Sequence, residues 1–151
     1  MNILRALDYL LPSPRAALAH CDVPCGIYDL KPAQIASETI VKMVEKIESL
    51  PKKNPSATDR NLFVRAVWTK EEHARKCKEE LLILWTDYFK PAHLEMFPDL
   101  HDTFWKAAKL CSAAKVNVSL EDATALMAAI EDIHMKFWAT KNREVPYYTA
   151  A

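Results

Sequence analysis

One glycine in 151 residues is the tightest constraint this sequence imposes. Hairpin turns draw on Gly for the positive φ that other residues resist, so a sheet of several hairpins is hard to build on a single one. β-Branched residues form few runs, and the chain is therefore expected to be all-α. Half of its residues are hydrophobic and 26% are charged. That suffices for a core and argues against global disorder. A formal net charge of zero argues against a function built on neutralising nucleic-acid phosphates. No apolar run is long enough to span a bilayer. Neither a nucleic acid nor a membrane is expected as a partner.

The apolar spacing predicts four amphipathic helices. Pro32, with Asp29 just before it, marks a first helix in which Ile40, Val44 and Ile47 recur at helical intervals up to Leu50. PKKNPSATD, residues 51–59, reads as a loop. A second helix is predicted from about Leu62 to Tyr88. Its stripe is Phe63, Val67, Ala74, Cys77, Leu81, Leu84 and Tyr88, with Lys70 the one polar intruder. Lys90-Pro91 ends or bends it. Leu94, Phe97, Leu100, Phe104, Ala107, Ala108 and Cys111 mark a third region, broken near Pro98. Ser119 followed by Asp122 forms a variant capping box that opens the fourth, whose apolar face is Ala123, Leu126, Ile130, Ile133 and Phe137. The tail NREVPYYTAA is predicted to be irregular. Four such helices with mostly short connections predict an antiparallel up-down-up-down four-helix bundle. A bundle implies no chemistry by itself, so function has to come from a site.

Helix-borne candidates are incomplete. Glu131 and His134 make one Glu-x-x-His pair, where a di-iron carboxylate bundle needs two. His73 and Cys77 lie one turn apart without companion ligands, and His93 and His101 flank a bend as surface or capping residues. Cys77 and Cys111 fall at core positions, where a free thiol acts as a small hydrophobe; this points to a reducing, cytoplasmic setting.

HCDVPCGIYD, residues 20–29, is different. It places the sole glycine, Gly26, beside an imidazole and two thiols: His20, Cys21 and Cys25. Pro24 and Gly26 bracket Cys25, so the segment can curl tightly around an ion. Two soft thiolates favour Cu(I), Zn or low-spin Ni(II); the alternatives are a Cys21–Cys25 disulfide or a pair of inert thiols. The residues before it end Ala17-Leu18-Ala19, as at a small-residue cleavage site, yet Asp8, Pro12, Pro14 and Arg15 interrupt any export signal. Residues 1–19 are therefore expected to be a propeptide, the alternative being a frayed arm, and residues 20–151 the mature domain. Cleavage after Ala19 would give His20 a free amine. That amine, the Cys21 amide and two thiolates make a square plane of N and S donors, suited to Ni(II) or Cu(II), with the imidazole as an axial fifth ligand.

Residues 20–29 match H-C-D-x-P-C-G-x-Y-D at every specified position, and LWTDYFKP at 84–91 is followed by His93. In both stretches the chain resembles the nickel superoxide dismutase family, and the similarity runs from His20 to about Thr140. The resemblance implies a right-handed four-helix bundle assembled as a homohexamer, and a dedicated protease that cuts before His20. It implies one nickel ion per subunit, held by His20 (amine and imidazole), Cys21 (amide and thiolate) and Cys25 (thiolate). Superoxide would be converted to dioxygen and hydrogen peroxide by Ni(II)/Ni(III) cycling. Asp22 and Tyr28 match residues near the substrate approach, with Tyr28 as its gate. Pro24 matches a proline that shapes the hook, cis in the family, and Tyr88 a tyrosine that helps hold the site's surroundings. Two positions depart from the best-known members: Ala36 replaces a glutamate and His73 an arginine of the network around the axial imidazole. His73 is a candidate partial substitute in that network. The rival function is a non-enzymatic helical nickel- or copper-binding protein using the same hook.

Overall fold

The structure is a computed structural model that describes residues 26–149. Its helices are α1 (Lys31–Glu48), α2 (Ala57–Ile83), α3 (Pro91–Met96), α4 (Leu100–Val116) and α5 (Leu120–Ala139), with a π-helical turn over Leu84–Tyr88 at the end of α2. No strand occurs among the described residues. α1 packs on α2, α2 on α4, α4 on α5, and α5 closes back onto α1. Short connections between successive neighbours make this the predicted antiparallel four-helix bundle. α3 is a single short bracket in the α2–α4 connection.

Local chemistry sets the helix ends. Asp29 Oδ1 accepts the Lys31 N–H at 3.0 Å ahead of α1, and Pro32 sits in the first turn. α2 starts at Ala57, earlier than the sequence spacing predicts, because Ser56 and Asp59 form a full capping box. The Ser56 hydroxyl accepts from the Asp59 N–H at 3.1 Å, and the Asp59 carboxylate accepts from the Ser56 N–H at 2.8 Å. The Ser56 hydroxyl also donates to Asp59 Oδ2 at 2.7 Å, and this bond, then that from the Ser56 N–H, holds the Asp59 carboxyl below its ordinary range. α5 has half of the predicted box: Ser119 Oγ accepts from the Asp122 N–H, but the Asp122 side chain accepts from Asn117 Nδ2 at 2.8 Å.

The core contains Ile40 and Val44 of α1, Cys77 and Leu81 of α2, Phe104 and Cys111 of α4, and the whole predicted face of α5. The stripe predicted for α2 holds only from Ala74 onward. Nearer its start Ala66 is buried, while Phe63 is 46% exposed. The intruder, Lys70, is itself 1% exposed. Its Nζ donates to the carbonyls of Ala114 (2.8 Å) and Lys115 (2.5 Å) in the last turn of α4, where carbonyls lack helical partners. Burial lowers the Lys70 ammonium below its ordinary range.

Through residue 149 the tail is irregular, as predicted, but pinned. His134 Nε2 donates to the Val145 carbonyl at 2.8 Å. Gln34 Nε2 donates to the Tyr148 carbonyl at 2.6 Å and to Glu38 Oε1 at 2.9 Å. The Lys31 ammonium lies 5.1 Å above the Tyr148 ring. The tail thus straps α5 to the first turns of α1.

Candidate metal centre

The expected ligands His20, Cys21 and Cys25, together with Asp22 and Pro24, lie outside the described residues. What the structure describes is the stem of the hook, from Gly26 onward, and the aromatic side chains packed on it. Gly26 has φ +72°, in the left-handed region, with nothing within 4 Å of the position a Cβ would take. Its requirement is conformational rather than steric: the chain turns sharply directly after Cys25. Ile27 is 74% exposed and Leu30 is fully buried, so the hook's stem passes from solvent into the core within a few residues.

Tyr28 packs half-buried against the core, its ring 5.5 Å from that of Tyr88. Tyr88 reaches this position through the π turn. The Phe89 N–H donates to the Leu84 carbonyl at 3.0 Å, one residue beyond the α-helical register, which turns the side chains after it. Rings of Phe137 (4.7 Å), Phe89 (5.0 Å) and His93 (5.7 Å) surround Tyr88. The Lys141 ammonium lies 5.3 Å from its ring centroid. The Tyr88 hydroxyl meets Thr140 Oγ1 at 2.5 Å. The LWTDYFKP stretch therefore supplies an aromatic wall. Trp85 of the same stretch stacks on Phe104 and donates its indole N–H to His101 Nδ1 at 2.9 Å. His93 is a capping residue, its Nδ1 accepting the Lys90 N–H at 3.1 Å.

Of the sequence candidates, the structure brings Tyr28 and Tyr88 together. His73 is half-buried on α2, and its Nδ1 donates to the Thr69 carbonyl of its own helix at 2.9 Å. Only Nε2 is left for another partner. Ala36 is buried on α1 and brings no polar group. His134 is engaged with the tail rather than with Glu131 as a ligand pair. Among the described residues no group of three or more His, Cys, Asp or Glu could hold a metal. Cys77 and Cys111 are free and buried. Contact with Cys111, then burial, pushes the Cys77 thiol well above its ordinary range, which makes it a poor metal ligand. Thr140 and Lys141, which hold Tyr88 from the end of α5, carry no sequence signal beyond their place just after an apolar helical face.

The donor chemistry fits nickel. The helical body offers no competing site among the described residues. The hook holds two cysteines and a histidine, and the only glycine beside them adopts the conformation a tight curl needs.

A sequence profile of nickel-containing superoxide dismutases matches residues 15–141. The chain belongs to that family. Superoxide dismutase [Ni] of Streptomyces seoulensis is 38% identical to it over 123 residues, covering 82% of this chain and 88% of that protein. The enzyme of the same name from Streptomyces coelicolor is 36% identical with the same coverage. A crystal structure of Ni-containing superoxide dismutase with the nickel ligation of the oxidised state superposes with a TM-score of 0.73 at 36% identity, covering 82% of this chain and 100% of that one. The native 1.30 Å structure of nickel superoxide dismutase gives 0.72 at 35% identity, covering 81% and 99%. The nickel superoxide dismutase match ends at residue 141, so the strap formed by the tail lies beyond it.

Proposed function

We propose that this chain is a nickel-dependent superoxide dismutase, converting superoxide to dioxygen and hydrogen peroxide. The observation that carries the reading is family membership together with an intact HCDVPCGIYD hook leading directly into the Tyr28–Tyr88 pair. His20, Cys21 and Cys25 would hold one nickel ion per subunit once residues 1–19 have been removed by a protease cutting before His20. When bound, nickel supplies a one-electron couple between Ni(II) and Ni(III), brought into range by anionic thiolate and amidate donors.

The chain's own residues shape access and charge. Tyr28 stands between solvent and the aromatic wall, where it gates entry to a small anion and excludes larger reductants. Asp22, which follows the proposed ligand Cys21 in the sequence, would stand with Tyr28 near the approach. The Lys141 ammonium, over the rings of Phe137 (4.5 Å), Tyr88 and Trp138 (5.4 Å), gives this face a positive charge that favours an anion. His73, whose Nδ1 is committed to its own helix, would use its Nε2 as a partial substitute in the network around the His20 imidazole.

The same reading includes a cytoplasmic homohexamer. Apolar side chains exposed along α2, namely Phe63, Val64 (65%) and Trp68 (72%), support an assembled state. No helix among the described residues is long and apolar enough to cross a membrane.

The test is co-expression with the maturation protease, followed by measurement of N-terminal residue, nickel content and superoxide removal on one sample. The expected result is an N-terminal histidine, one nickel per chain and dismutase activity, with none in the uncut chain. Full activity in a chain shown by mass spectrometry to be uncut overturns the reading. Bound nickel without a reversible Ni(III) signal in electron paramagnetic resonance makes the protein a metal carrier instead.

A further inference from the structure

The protons at the Tyr88 hydroxyl can be assigned. Thr140 Oγ1 lies 2.7 Å from the Phe137 carbonyl oxygen and 2.5 Å from Tyr88 Oη. A carbonyl only accepts, so the single Thr140 hydroxyl proton lies on the Phe137 contact. The Tyr88–Thr140 contact is then made by the tyrosine's proton. The backbone explains why that Thr140 proton is committed. At the end of α5 the Lys141 N–H donates to the Trp138 carbonyl at 3.0 Å, not to Phe137 four residues back. The Phe137 carbonyl thereby loses its helical donor, and the Thr140 hydroxyl replaces it. The neighbouring Lys141 ammonium lies over the Tyr88 ring, while Phe137 and Tyr28 pack against that ring.

We propose that Thr140 is a positioning residue of the dismutase site. By accepting the Tyr88 hydrogen bond it leaves the Tyr88 oxygen with lone pairs only toward any other partner. An oxygen without a proton to give repels an incoming anion, so Tyr88 acts as a wall, and contact with the anion falls to the Tyr28 side. This role rests on the reading of the chain as a nickel superoxide dismutase. Thr140→Val keeps the branched shape and removes the acceptor, freeing the Tyr88 proton for an anion. Thr140→Ser keeps the hydroxyl.

The experiment uses processed, nickel-loaded protein and two readouts. The first is the Raman Fermi doublet of tyrosine, whose intensity ratio distinguishes a phenol that donates a hydrogen bond from one that does not; subtraction of a Tyr88→Phe spectrum isolates Tyr88. The second is inhibition of superoxide removal by azide. In the wild type Tyr88 should read as a donor. Thr140→Val should lose that signature and tighten azide inhibition about five-fold, as one hydrogen bond to an anion gained in place of one to Thr140 would give. Thr140→Ser should match the wild type in both. A Thr140→Val protein, folded by circular dichroism, that keeps the wild-type doublet overturns the proton assignment. A changed doublet with unchanged azide inhibition, or Thr140→Ser behaving like Thr140→Val, overturns the positioning role. Wild-type protein that binds no nickel overturns the functional reading, and this role with it, whatever the doublet shows.

Discussion

The chain has two cysteine pairs, one enclosed in the core and one ahead of the first helix, and the function proposed above gives them opposite uses. Cys77 and Cys111 face each other from α2 and α4 in the core, 0% and 1% exposed, and their surroundings keep the Cys77 proton on. Cys21 and Cys25 precede the first helix, with Gly26 in a left-handed turn directly after them. In the bundle the two thiols are enclosed by packed helices and fill space in the core. Gly26, directly after the second pair, lies outside any helix. On that reading the residue type is the same and the backbone around it decides the chemistry.

The largest effect should come from the hook. Cys21→Ser or Cys25→Ser in processed protein is expected to abolish both bound nickel and dismutase activity, measured by metal analysis and superoxide removal, while Cys77→Ser and Cys111→Ser retain one nickel per chain. Nickel lost from a folded Cys77→Ser protein would break the division. Next in size is Phe137→Ala, which empties the position between Tyr88, Lys141 and the core. Denaturant titration should show about 3–5 kcal/mol of lost stability. A loss well below that range would mean the bundle beside the site repacks freely. Cys77→Ser places a hydroxyl where a thiol filled a fully buried position. Its cost should be about 1–3 kcal/mol with metal content untouched, which sharpens the contrast between packing sulfur and ligand sulfur.

The smallest effect at neutral pH is Tyr147→Phe. The Tyr147 hydroxyl is buried without a hydrogen-bond partner among the described residues, so its removal should be close to neutral. The alkaline profile should change, however. Burial, then the nearby Glu38 carboxylate, raises the Tyr147 phenol from 10.0 to about 12. The unfolded chain therefore gives up this proton first. The stabilisation is complete below pH 10 and is lost as the pH rises through about 12. Urea midpoints measured across that interval should fall less steeply in Tyr147→Phe than in the wild type; parallel curves would place the alkaline sensitivity elsewhere.

Most of the bundle was legible because its helices are amphipathic along one face. Ala123, Leu126, Ile130, Ile133 and Phe137 are all 0% exposed, since α5 meets the core along its whole length. The start of α2 was not, because the Ser56–Asp59 box stands in a segment whose prolines read as loop. Lys70 looked like an intruder because the carbonyls it caps belong to α4, far along the sequence. The hook reading rests on the sequence alone, three ligand-type residues around the only glycine, because all but its stem lies outside the described residues. The partnership of Tyr88 with Thr140 was not. It depends on a π turn, which adds a residue to the helical register without any composition of its own, and which carries Tyr88 to the end of α5. The tail was legible as irregular, but its docking depends on single polar side chains, Gln34 and His134, on two different helices.

The tail strap has a mechanical consequence. Val145 and Tyr148 tie it to α5 and to the first turns of α1. A load applied near residue 149 therefore reaches Lys31 and Gln34 without crossing the bundle. Only residues 26–30 separate that turn from Cys25. The stiffness of the hook's root is set in part by the opposite end of the sequence, in a segment outside the family match.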